Sequence, residues 1–347
     1  MKKTLLTICL VWMCFSLSAQ KIIDLSGKWS FSIDRQDNGE KEKWFSHTLN
    51  DFINLPGSMP EKLKGDEVTA KTQWTGSLYD SSYYYNPYME KYRKEGNIKF
   101  PFFLTPDKHY VGAAWYQKEV NIPADWKGER ILLFLERPHI ETTVWVNGQK
   151  TGMQNSLCVP HQYDITHYVR PGKCTITIRV DNRIKEINVG PDSHSITDQT
   201  QGNWNGIVGR ICLQTTPKTY FDDIQIYPEP EQKLARVKVV IKGTGTAKVK
   251  LSAESFNTDK KHIVPAIQQE IKLNKGVTET EMVLPMGNDM LLWDEFHPAL
   301  YKLKAEVTNG KKTEIKEIQF GMRRFEIKGK WFYVKWSNTK LRGTVEN

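Results

Sequence analysis

Asn203, Trp204 and Asn205 close a stretch, 191–205, that reads PDSHSITDQTQGNWN. Amides, hydroxyls, the carboxylate of Asp198 and one indole are concentrated there, with few apolar anchors. That mixture suits carbohydrate. A pyranose offers C–H faces that stack on an aromatic ring and hydroxyls that need polar partners. A structural account competes with it, in which Asn203 and Asn205 are turn residues and Trp204 is packing. Binding residues gather on loops carried by a rigid scaffold, and this favours the first account. Asn155 (beside Ser156), His109, Tyr110 and Arg210 are further contact candidates. The Arg210 guanidinium suits a structural ion pair as well as a ligand. His161 and His194 lack the paired spacing of metal ligands, so neither a metal nor a cofactor is expected.

The elements that must position these residues are strands. Gly27 to Ile33, Thr142 to Val146 and Cys174 to Val180 alternate with period two, and Arg130 to Leu135 is an apolar run. Asn147-Gly148 after an alternating strand predicts a hairpin. Short strands between Gly, Pro and Asn turns read as a β-sandwich. A second set starts near Tyr220: 224–227, 235–242, 247–253, 279–284, 301–308 and 313–320. It predicts an immunoglobulin-like sandwich without the Cys…Trp…Cys spacing of antibody domains. Pro228-Glu229-Pro230 reads as a linker or an edge. The aromatic stretch Thr72 to Thr105 is too long for a simple connection and is expected to order over a binding surface. Trp29, Trp115 and Trp145 alternate with apolar neighbours and are expected in the core.

Composition bounds the rest. Lys2 and Lys3, the apolar run Leu5 to Leu17, and Ser18-Ala19 predict a cleaved export leader over 1–19. No later segment has the ~20 apolar residues of a membrane helix. The formal charge is +9, of which Lys2 and Lys3 contribute two. The remaining bases alternate with acids, so no basic face for nucleic acid is expected. Cys158, Cys174 and Cys212 match no disulfide or metal framework and are expected as small buried hydrophobes. The eleven Trp and fourteen Tyr fit a core with sugar-contacting loops.

Several segments, in order, resemble the N-terminal half of family 2 glycoside hydrolases, the β-galactosidase and β-glucuronidase group. Gly112-Ala113-Ala114-Trp115-Tyr116-Gln117-Lys118-Glu119-Val120 is similar to a family strand. Val144 to Gly152 looks like its V-N-G-x-x-V-G hairpin, and His161-Gln162-Tyr163-Asp164-Ile165-Thr166 resembles F-D-I/L-S/T. Val180-Asp181-Asn182 leads through a long loop to Asn203-Trp204-Asn205-Gly206-Ile207-Val208-Gly209-Arg210, where the family has an acid or amide, a tryptophan, then G-I-x-R. Trp293 to Leu303, Phe320-Gly321-Met322-Arg323 and Leu341-Arg342-Gly343-Thr344 resemble later family motifs.

The resemblance implies an all-β chain: a galactose-binding-like jelly roll (20–218), then an immunoglobulin-like sandwich (219–325). A truncated lead-in (326–347) to a catalytic barrel would follow. No barrel is expected in this chain, since one needs ~250 further residues. The family's two glutamates would lie there, set about 5 Å apart for retaining hydrolysis, so no catalytic residue is expected here. Lys335 to Lys340 replaces the family's N-G hairpin, which suggests a truncated or disrupted gene product, or a fragment of a longer chain. The family's loop acid falls on Asp198 or on Asn203, and another family loop toward substrate falls near His109 and Tyr110. Three functions follow: the non-catalytic sugar-binding and scaffold part of a family 2 enzyme, a free-standing carbohydrate-binding module, or an interaction protein for a barrel-bearing chain. An exported chain would work in the periplasm or outside the cell.

Overall fold

The structure, a computed structural model, describes residues 21–69, 71–76, 81–99, 105–185, 193–194, 196–198, 200–334, 337–341 and 343. The expected leader and parts of the 72–105, 191–205 and 341–344 segments lie outside the described residues. The described chain forms two compact units, Lys21–Thr216 and Pro217–Leu341.

In the first unit a six-stranded sheet faces a five-stranded one. The six-stranded sheet runs Gln149–Asn155, Glu141–Val146, Gly172–Asp181, Ala113–Ile122, Gly27–Asp34 and Asp51–Leu55. The other runs Ile22–Asp24, Gly206–Thr216, Arg130–His139 and His161–Asp164, with Gly57–Ser58 also against Gly206–Thr216. All pairings are antiparallel. Period-two alternation sends Trp29, Phe31, Tyr116, Val144, Ile176 and Ile178 inward to meet Leu133, Leu135, Ile211 and Leu213. Each such burial contributes roughly 1.5–3 kcal/mol.

The six-stranded sheet is covered on its other face too. Trp115 and Trp145 lie 5.0 Å apart there, under Trp44, Phe45 and Leu49. This explains why every residue of Glu141–Val146 is buried. The three expected core tryptophans are thus all buried, but in two different cores. At the expected hairpin, Asn147 and Gly148 both take positive φ (50° and 77°), the pair of conformations that a type I′ turn requires.

The second unit departs from its expected strand list. Segments 235–242 and 247–253 belong to one strand, Leu234–Ser255, paired along its length with Ile263–Pro285. Its register shifts at Gly243–Gly245, and Gly243 (φ 158°) sits opposite Gly276 (φ 107°). Before the bend the strand pairs with Tyr220–Glu229; after it, with Tyr301–Asn309, which pairs with Lys312–Phe320. One long hairpin therefore serves both layers of a sandwich around Val237, Val249, Leu251, Leu303 and Val307. Pro228 and Glu229 end an edge strand, and Pro230–Gln232 is the turn after it, so the linker reading is wrong. Phe325–Lys328, Trp331–Val334 and Ser337–Thr339 form a small three-stranded meander. Cys174 and Cys212 are buried as expected, whereas Cys158 is exposed on its loop, and all three are free.

Candidate carbohydrate-binding site

Strand Gly172–Asp181 is followed by Asn182, which organises the loops around it. The Asn182 Oδ1 accepts from the Gly112 N–H (2.8 Å), and its Nδ2 donates to the Tyr110 carbonyl (2.8 Å) and to Asn203 Oδ1 (3.0 Å). Asn203 answers by donating Nδ2 to the Asn182 carbonyl (3.0 Å) and to Thr75 Oγ1 (2.9 Å). Both amides are buried and satisfied within the protein.

Asp198 locks the same loop. Its carboxylate accepts from the Asn203 and Thr75 backbone N–H groups, the latter at 2.6 Å, and His109 Nε2 lies 3.5 Å away. Burial pushes its pKa up, but the nearby His109 ring and the hydrogen bonds from the Asn203 and Thr75 N–H groups outweigh this and hold it below the ordinary value. His109 is itself buried, tilted against Trp74 with ring centroids 4.7 Å apart.

Asn205 is structural. Its Oδ1 accepts from the Tyr116 hydroxyl (2.7 Å), and its Nδ2 donates to the carbonyls of Gly112 and Val180, both at 2.9 Å. Its own carbonyl accepts from the Met59 N–H (2.7 Å). Tyr110 is spent likewise: its hydroxyl donates to the Ala113 carbonyl (2.9 Å), and burial raises its pKa far above the ordinary range. Between the two inward-turned amides the backbone projects Trp204, half-buried and stacked on His139 (centroids 4.5 Å, interplanar angle 23°). Burial lowers the His139 pKa to about 4, against the opposing pull of Asn203 and the Asp198 charge. His139 is therefore neutral near pH 7.

Of the expected contacts, Asn203, Trp204, Asn205, Asp198, His109 and Tyr110 are brought into one cluster. Arg210 and Asn155 are not joined to it. Arg210 is exposed, paired with Glu136 (3.0 Å) and set over the Phe134 ring. Asn155 is exposed at the end of its strand, opposite Glu141. His161 is a satisfied buried histidine, between Thr142 Oγ1 (2.6 Å) and the Ser156 carbonyl (3.2 Å). No cluster of His, Cys, Asp or Glu among the described residues is suited to a metal ion.

Residue order alone does not point to Asn182 or His139 as members of this cluster. Beside Asn182 lies a charge network, in which Asp37, Glu141 and Asp181 meet Arg179, Arg183 and Lys185. Burial raises the pKa of Asp181, but bonds from Arg183 and Lys185 and the Arg179 charge drive it far below the carboxylate range. The signal available in the sequence was the pattern R-V-D-N-R-I-K at 179–185, whose alternation in a buried strand demands partners. What the arrangement can offer a ligand is thus an aromatic pair, Trp204 and His139, on a loop whose polar groups hold its shape.

Comparison with known proteins agrees with this architecture. Residues 22–217 match the family described as "Glycosyl hydrolases family 2, sugar binding domain", and residues 219–323 match "Glycosyl hydrolases family 2". A beta-galactosidase of Clostridium acetobutylicum is 25% identical over 92% of this chain and 33% of its own length. A beta-glucuronidase of Homo sapiens is 24% identical over 92% of this chain and 49% of its own. Among solved structures, a beta-glucuronidase from an uncultured Clostridium sp. superposes with a TM-score of 0.60 at 20% identity, over 92% of this chain and 48% of that one. The apo beta-glucuronidase of Ruminococcus gnavus gives 0.60 at 18% identity, over 93% and 48%. The chain spans a third to a half of the length of these relatives. It belongs to glycosyl hydrolase family 2, of which it carries the sugar-binding domain and the immunoglobulin-like domain that follows.

Proposed function

We propose that this chain is the sugar-contacting and scaffold part of a family 2 enzyme acting on β-glycosides, and that alone it holds sugar without hydrolysing it. The observation that carries the reading is the Asn182–Asn203–Asp198–Thr75 network, which fixes the loop and presents Trp204 on His139. The names of the relatives, beta-galactosidase and beta-glucuronidase, point to β-glycosides. Calorimetric titration with phenyl β-galactoside and phenyl β-glucuronide tests it. Measurable binding is expected, weakened about tenfold or more in Trp204→Ala, because ring stacking and burial contribute 1–3 kcal/mol. A flat titration with both sugars would overturn the binding role. Hydrolysis of aryl β-glycosides by this chain, abolished by changing one of its carboxylates, would overturn the non-catalytic role.

Two further parts of the proposal stand on separate observations. The leader pattern at 1–19 supports export, and N-terminal sequencing of material secreted by the source cell should begin at Gln20. The family match of both units supports association with a barrel-bearing chain, which co-purification from the same cells would reveal.

A further inference from the structure

Residues 81–99 stand outside both sheets of the first unit. The segment reads SSYYYNPYMEKYRKEGNIK and carries five tyrosines. One of them anchors it. Tyr83 is 1% exposed, donates its hydroxyl to the Tyr92 carbonyl (2.9 Å), and has its own carbonyl held by Arg93. Asn86 Oδ1 accepts from the Tyr88 N–H (3.0 Å) as the cap of the 3₁₀ turn Pro87–Tyr92. Asn97 Nδ2 donates to the Lys91 carbonyl (2.8 Å), and the Lys99 N–H to that of Tyr92 (3.0 Å). The segment is pinned by its own bonds.

On this pinned frame Tyr85 and Tyr88 are 78% and 84% exposed. Neighbouring Tyr83, on the same short helix, shows that the fold buries a tyrosine where it needs one. Tyr88 and Lys91 are three apart within the 3₁₀ turn, where such residues eclipse and share one side. Lys94 lies just past the turn; its contact with Glu90 (3.4 Å) is an exposed pair that a ligand charge can replace. Lys91, Arg93, Lys94 and Lys99 outnumber Glu90 and Glu95, so the local field is positive. Tyrosine, with an apolar ring and a polar tip, is enriched at contact surfaces. Tyrosine with adjacent ammonium groups fits a partner that has C–H faces, hydroxyls and negative charge together.

We propose that Tyr85 and Tyr88, with Lys91 and Lys94, form a second carbohydrate-contact surface that takes an extended acidic polysaccharide. Its pyranose faces lie on the rings and its uronate carboxylates against the ammonium groups. This surface is independent of the Trp204 loop, and the two can fail separately.

The test is titration of the full chain with polygalacturonate, with neutral amylose as the comparator. Polygalacturonate should bind and amylose should not. Tyr85→Ala/Tyr88→Ala should raise Kd tenfold or more while leaving the melting temperature unchanged, because both rings are exposed. Raising salt from ~50 to ~500 mM should weaken binding about tenfold, and Lys91→Gln/Lys94→Gln should flatten that dependence. Trp204→Ala should leave polygalacturonate affinity unchanged. The proposal is overturned by absence of polygalacturonate binding, by equal affinity for amylose, or by wild-type affinity in the double tyrosine variant.

Discussion

Asn203 and Asn205 flank one indole and serve the fold, while Trp204 faces outward. Their amides are sealed inside, so their loss is read in stability. Asn205→Ala would strand the Tyr116 hydroxyl in the interior and take a donor from two buried carbonyls, at about 1–3 kcal/mol for a buried polar group left unmet. A drop in the urea midpoint of that size is expected, against a small change for Trp204→Ala. Arg210→Ala should leave the urea midpoint nearly unchanged, since its pair with Glu136 is exposed. His139 makes stability depend on pH. Its folded pKa is about 4 against an ordinary 6.5, so between these values the unfolded chain binds more protons. Stability should be full above pH ~6.5 and fall by on the order of 2–3 kcal/mol as pH drops toward 4. His139→Gln should flatten that part of a denaturation profile measured against pH. Asp181, held low by its basic neighbours, adds a second loss that starts only below the ~3.9 of an unfolded aspartate.

At the scale of elements, Gly206 opens the long strand that leaves the loop carrying Trp204, at φ 148°. A Cβ there would lie 2.5 Å from the Gly57 carbonyl oxygen and 2.8 Å from the Ser58 Cα, both backbone atoms. Gly206→Ala should therefore destabilise by about 2 kcal/mol or more and disturb Trp204 two residues away, visible as a shifted indole fluorescence. The meander carries the opposite prediction. Phe325, Ile327, Phe332 and Val334 share one face by register, yet Ile327 is 67% exposed. Ile327→Ser should leave the urea midpoint within about 0.5 kcal/mol while reducing binding of a hydrophobic dye. Period-two alternation made most strands legible. It could not separate a turn from a bend at Gly243–Gly245, because both require glycine. Only pairing with a strand that runs past the bend showed one continuous element.

At the scale of the molecule, two cores are separately closed, one around Trp29, Tyr116 and Leu133, the other around Val237, Leu251 and Leu303. A fragment of residues 21–216 should thus fold alone, with dispersed amide resonances and a cooperative thermal transition; a collapsed spectrum would show that its core is incomplete. Family membership rests on this scale as well, since the two family matches tile the two units in order.

Strand positions, the Asn147-Gly148 hairpin, the buried tryptophans and the concentration of polar groups near Trp204 follow from local pattern and were readable from residue order alone. Such features depend on side-chain alternation and backbone preference, which are properties of short segments. The direction each polar group points was decided by the tertiary structure. Whether Asn205 meets a ligand or a carbonyl depends on Tyr116, Gly112 and Val180, which lie 25 to 93 residues away in the chain. The stacking of Trp204 on His139 arises in the same way, because the strand carrying His139 pairs with the one that begins at Gly206. Hydrogen-bond satisfaction is a three-dimensional account, and no spacing in one dimension settles it.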